Sequence, residues 1–143
     1  MRTIILAAAA ATALTSTAQA APSRAALEYS EIRRSAIVGQ YRRSEVIQLA
    51  PDGTFSGIYH AKRHIARGIE RRNGVMKGRW SLKGNAICFE GSGLEYDGQN
   101  CYRLTKAKHT KEQWSGTNMK TGNVWQFFVY QARDVGTPRR AAR

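Results

Sequence analysis

The stretch RWSLKGNAICFEGSGLEYDGQNCYRL, from Arg79 to Leu104, contains both cysteines of the chain, Cys88 and Cys101. Gly84-Asn85 reads as a tight turn between two strand-forming runs, because these residue types suit turns and the flanking tryptophan, isoleucine and phenylalanine suit strands. Pairing Cys88 opposite Cys101 in an antiparallel ladder puts Ile87 opposite Tyr102 on the other face of the sheet, with Phe89 and Leu104 beside them. The thiols then share one face and the apolar side chains share the other. The intervening EGSGLEYDGQN is too long and glycine-rich to set that register alone. A bridge between the cysteines would close it at its neck.

The same pattern extends in both directions. EVIQLAPDGTFSGIY, residues 45–59, reads as strand, turn, strand around Pro51-Asp52-Gly53. VMKGRWSLKGNAICFE gives two further runs, and NCYRLTKA, EQWSGTNM and NVWQFFVYQA complete a meander. Near the start, Ser30, Glu31 and Gly39 carry the signals of a short helix: a cap, an acidic first turn and a glycine stop. These patterns predict a mainly β chain, a small antiparallel β-barrel or sandwich with one short N-terminal helix. Trp80, Trp114, Trp125, Phe55, Phe89, Phe127 and Phe128 are expected to fill its core rather than line an open cavity, because so small a barrel holds little beyond its own side chains.

At the N-terminus, MRTIILAAAAATALTSTAQA has a single cation at Arg2, an apolar run from Ile4 to Leu14 and small residues at Ala18 and Ala20. This is the pattern of a cleaved secretory signal, residues 1–20, with Ala21 opening the mature chain. The run is too short to span roughly 30 Å of hydrocarbon, and no later segment is long and apolar enough to form a transmembrane helix. A periplasmic or secreted location follows as the expectation. An oxidising compartment turns a cysteine pair into a disulfide, and the single pairing within the chain is Cys88–Cys101. A structural zinc site wants four ligands and close Cys-x-x-Cys spacing, which these cysteines do not offer. The remainder reads as one domain, residues 21–135, followed by a disordered basic tail, residues 136–143. The residues up to about Ser23 are also expected to be disordered.

Asp52-Gly53-Thr54-Phe55, Gly78-Arg79-Trp80, the Gly84-Asn85 turn, Cys88, Cys101 and the closing NVWQFFVY follow one another in an order that resembles small exported alphaproteobacterial proteins of unknown function with a lipocalin-like, calycin-type barrel. The resemblance covers about residues 30–131 and implies a barrel. It implies no activity, since fold alone does not carry function.

Chemistry must come from sites, and the most unusual segment is HAKRHIARGIERRNGVMKGRWSLK, His60 to Lys83. With 23 Lys and Arg against 10 Asp and Glu, the chain has a formal net charge of +13. Lys62, Arg63, Arg67, Arg71, Arg72, Lys77 and Arg79 concentrate that charge around the single acid Glu70. Arg33, Arg34, Arg42 and Arg43 form a second cluster, and Arg139, Arg140 and Arg143 a third. Such density attracts polyanions, and the planar guanidinium fork suits phosphate and carboxylate. Anionic lipid, lipopolysaccharide and acidic polysaccharide are the candidate partners. Sequence-specific nucleic-acid recognition is not expected, because no binding motif is present. If the segment is helical, Arg63, Arg67 and Arg71 form one stripe; if extended, they spread over both faces.

No catalytic constellation emerges. His60 and His64 stand four apart but lack the glutamate of a metalloprotease helix and sit among cations. His109 reads as a solvated loop residue. There is no nucleophile elbow, and Glu90, Glu95 and Asp97, in or beside the disulfide loop, are expected to be solvated. The chain reads as non-enzymatic, without metal or cofactor. Two functions stay open: a binding module for anionic envelope components through the basic hairpin, and a protein-interaction module such as an enzyme inhibitor or envelope accessory factor.

Overall fold

The computed structural model describes residues 22–107 and 112–131. The expected leader and basic tail, with His109, Arg139, Arg140 and Arg143, lie outside them. Eight antiparallel strands run in chain order and close on themselves: β1 Glu31–Val38, β2 Tyr41–Leu49, β3 Thr54–Ile65, β4 Gly68–Lys83, β5 Ala86–Ser92, β6 Gln99–Lys106, β7 Gln113–Asn118 and β8 Val124–Tyr130. The architecture is calycin-like. Closure leaves no sheet edge through the body of the barrel. The β5–β6 register is Ile87 opposite Tyr102 and Cys88 opposite Cys101, and the cysteines are bonded to each other.

The N-terminal helix is not where its signals stand. Residues 31–38 form β1, which pairs with both β2 and β8 and so closes the barrel. The helix is α1, Arg24–Leu27, capped by the Ser23 hydroxyl, which accepts from the Ala26 N–H at 3.2 Å. Ser23, expected at the edge of a disordered start, forms this cap. Ser30 faces backwards, donating its hydroxyl to the Leu27 carbonyl at 2.6 Å. Gly39 takes φ +60 in the two-residue turn between Val38 and Tyr41. Strand pairing on both sides, with Ile32 fully buried, outweighs the local helix signals.

Inward positions alternate along every strand, as a half-buried strand requires. Ile32, Ile47, Phe55, Met76, Trp80, Ile87, Phe89, Tyr102, Leu104, Trp114, Trp125 and Phe127 fill the interior. Phe89, Tyr102, Trp125 and Phe127 meet edge to face at centroid separations of 5.6–6.2 Å. Phe128 falls on the opposite parity and is only half-buried. Between β4 and β5, Gly78 faces Gly91. A Cβ on Gly78 would stand 2.0 Å from the Glu90 carbonyl oxygen, so this approach of the two strands excludes any side chain.

Both ends of the barrel are stoppered. Leu27 of α1 is fully buried in the core cluster, and the Arg24 guanidinium lies 4.6 Å over the Trp80 ring. At the other end the β5–β6 loop folds inward and Glu95 becomes an acceptor hub. It takes hydrogen bonds from Trp125 Nε1 at 3.0 Å, Asn118 Nδ2 at 3.1 Å, the Tyr102 hydroxyl at 3.3 Å and Asn123 Nδ2. Glu95 is thus a cap, not the solvated loop acid its surroundings suggest. Burial pushes the Tyr102 hydroxyl up to about 12.

Candidate anion-binding face

β3 and β4 continue past their neighbours as a two-stranded hairpin. β2 pairs with β3 only as far as Lys62, and β5 pairs with β4 only from Lys77 onward. The hairpin closes at Ile65 opposite Gly68, leaving Ala66-Arg67 as the turn. The basic segment is therefore extended, and alternation sorts its charges onto two faces.

On the face continuous with the barrel interior, Arg63 is opposite Glu70 and Arg72 is opposite Ala61. Glu70 accepts from the Tyr41 hydroxyl at 2.8 Å, from Arg63 Nε and from Arg72 Nη2 at 3.1 Å. Both guanidiniums lie over the Tyr41 ring, at 5.0 and 4.8 Å, and Arg63 also donates to Gln40 at 2.8 Å. These bonds, that of Tyr41 first, hold the Glu70 carboxyl down at about 2. Two of the expected anion contacts are thus already partnered within the chain.

On the outer face, Ile37, Arg42, Lys62 and Arg71 stand opposite one another on β1, β2, β3 and β4, forming one row across four strands. Adjacent strands are about 4.8 Å apart, so the three cations crowd within roughly 10 Å. With Ser44, His60 and Asn73 they line an open groove of about 390 Å³. His60 Nδ1 is 2.9 Å from Asn73 Oδ1. The side chains of Arg42, Lys62, Arg67, Arg71 and Lys77 are in no hydrogen bond or ion pair among the described residues. Arg67 occupies the turn, and Lys77 lies further down β4 on the same outer face. Arg79 is set apart, near the opposite end, where its Nη2 approaches the Asp52 carbonyl at 3.5 Å.

The second arginine cluster divides in the same way. Arg42 belongs to the outer row. Arg34 is inside the barrel, its side chain wholly buried and its Nε paired with the equally buried Glu45. Its guanidinium sits 4.4–5.3 Å from the ring centroids of Tyr102, Trp125, Phe89 and Phe127. Its two Nη atoms have no hydrogen-bond acceptor, the Tyr102 hydroxyl being bonded to Glu95 instead. Arg43 faces inward too, reaching Glu45 at 2.6 Å and the Gly93 carbonyl. Neither adds to the surface field as the clustering in sequence suggests. Arg42 joins the site through strand pairing, a relationship that charge density along the chain does not reveal.

Among the described residues no group of three or more His, Cys, Asp or Glu is placed to hold a metal ion, and no helix is long and apolar enough to cross a membrane. Compared with known proteins, the chain matches no family model and no curated protein.

Proposed function

We propose that this chain is a non-catalytic, exported barrel that binds polyanionic surfaces through the outer face of β2, β3 and β4. The carrying observation is the row Arg42–Lys62–Arg71, three cations on adjacent strands with no acid paired to them among the described residues. Repeating phosphates or carboxylates can meet such a row without any change in the protein. The interior supports the same choice of face: aromatic side chains and the Arg34–Glu45 pair occupy it, and Leu27 and the Glu95 loop close its ends. Export belongs to this proposal, resting on the leader pattern and on the likeness to small exported alphaproteobacterial proteins.

The test uses inorganic polyphosphate as the probe. Arg42→Glu, Lys62→Glu and Arg71→Glu together should abolish most of the affinity. The slope of log affinity against log salt should fall by about 0.7 for each phosphate no longer neutralised, the value for flexible single-stranded polyanions. Reversing Lys83 and Lys120, which lie outside the row, should change it far less. Unchanged binding by the triple variant would overturn the proposal. Partner capture from envelope extract that is indifferent to salt would favour a protein-interaction module instead.

A further inference from the structure

The hairpin tip carries a feature that polyanion binding does not use. Ile65 and Ile69 flank the Ala66-Arg67 turn and are 47% and 45% exposed. Ile69 is on the outer face and Ile65 on the inner one, by the register of Ile65 with Gly68 and of His64 with Ile69. The tip is therefore apolar on both sides. Behind it, one to three positions back along each strand, stand Lys62, Arg63, His64, Arg71 and Arg72 with the single acid Glu70, which pairs with Arg63 and Arg72 and leaves the collar net positive. Residues 63–66 project beyond the last β2 partner, about 13 Å at the rise of an extended strand.

We infer that this tip enters the interfacial layer of an anionic lipid bilayer, with the basic collar at the headgroups; the inference rests on the polyanion reading and names its physiological surface. A soluble polyanion would satisfy the collar and leave both isoleucines in water. A bilayer satisfies both, since apolar burial and attraction to anionic lipid add. Arg67 at the turn can keep its guanidinium among the headgroups while its stem lies in the apolar layer. Insertion must be shallow. The β4 edge from Ile69 to Met76 has no strand partner beyond β3 among the described residues, and its free backbone groups forbid deeper entry into hydrocarbon. That edge also argues against an added peptide strand as the occupant, because Arg71 and Arg72 on it are the kind of charge that blocks edge pairing.

Two probes separate this inference from the reading beneath it: vesicles of phosphatidylglycerol in phosphatidylcholine, and soluble polyphosphate. Ile65→Ser with Ile69→Ser should weaken vesicle binding roughly tenfold, because two partly buried apolar side chains no longer leave water, and leave polyphosphate affinity unchanged. In a second variant, Ile69→Trp, bromine-labelled lipid should quench the new fluorophore; the native Trp80, Trp114 and Trp125 are buried and should not respond. Vesicle binding unaffected by the double substitution, or an unquenched Trp at position 69, would overturn the insertion. Wild-type protein that binds polyphosphate but not vesicles overturns the insertion alone, and protein that binds neither overturns both readings.

Discussion

Arg34 and Glu45 stand opposite each other in β1 and β2 with both side chains fully buried inside the barrel. Their pairing carries a guanidinium into an aromatic box, and Arg43 gives Glu45 a second cation at 2.6 Å. Removing one member of a buried pair strands the other charge, which typically costs about 3–5 kcal/mol. Glu45→Ala should therefore destabilise the barrel by that amount in urea unfolding. Replacing both, Arg34→Met with Glu45→Leu, should restore much of that stability, because an apolar pair has no stranded charge. A single substitution costing well under about 1 kcal/mol would mean that the pair is not desolvated in solution.

The bridge between Cys88 and Cys101 spans 13 residues of chain and faces away from the core aromatics. Changing both cysteines to Ser should lower stability by roughly 2–4 kcal/mol through the freed loop. Polyphosphate binding should persist, since β5 and β6 contribute nothing to the outer row. Free-thiol labelling of the native protein at both positions would contradict the bridge.

Glu95 is the acceptor that ties the β5–β6 loop to β6, β7, β8 and the β7–β8 turn. Glu95→Ala leaves the Trp125 N–H and the Tyr102 hydroxyl without that partner beneath the loop, and each buried group left unsatisfied costs about 1–3 kcal/mol. Amide exchange in residues 93–98 should quicken more than exchange in β2 or β3. Equal protection throughout would show that the loop does not depend on this acid.

These residues also mark where the sequence is legible. The cysteine register can be read because strand periodicity is two and both faces declare themselves, sulfur on one and Ile87, Phe89, Tyr102 and Leu104 on the other. β1 resists the same reading because Arg34 occupies an inward position, so Ile32, Arg34, Ala36 and Val38 do not register as one apolar face. Ser30 and Gly39 then resemble helix punctuation, although one turns back to Leu27 and the other makes a hairpin turn. The basic segment is visible as charge, but its division is not. Glu70 finds Tyr41 across 29 residues of sequence, and Arg42 reaches Lys62 and Arg71 only through ladders that composition does not specify. Glu95 misled for the same reason, since a carboxylate in a glycine-rich loop looks solvated until the loop is seen to fold onto four donors, whereas Glu90 and Asp97 are exposed as their surroundings suggest.

Glu70 decides how much of the hairpin's charge is free to meet a ligand, and its ionisation gives the clearest pH test. Its folded value, about 2, lies below its ordinary value of 4.5. A carboxyl whose value falls on folding stabilises the fold while ionised. The contribution is complete above about 4.5, declines as pH falls, and is gone below about 2. The clamp on Arg63 and Arg72 should therefore be intact throughout the neutral range. A carbon-detected titration of the Glu70 carboxyl should have its midpoint near 2; a midpoint near 4.5 would mean that the Tyr41 and Arg63 bonds do not form in solution. Glu70→Gln removes the carboxylate charge at every pH and weakens the hold on two guanidiniums beside an already unpaired row. It should loosen the hairpin in amide exchange, yet raise polyphosphate affinity and steepen its salt dependence, because more cations can meet phosphate. A variant with a looser hairpin and unchanged affinity would confine anion contact to the outer row of Arg42, Lys62 and Arg71.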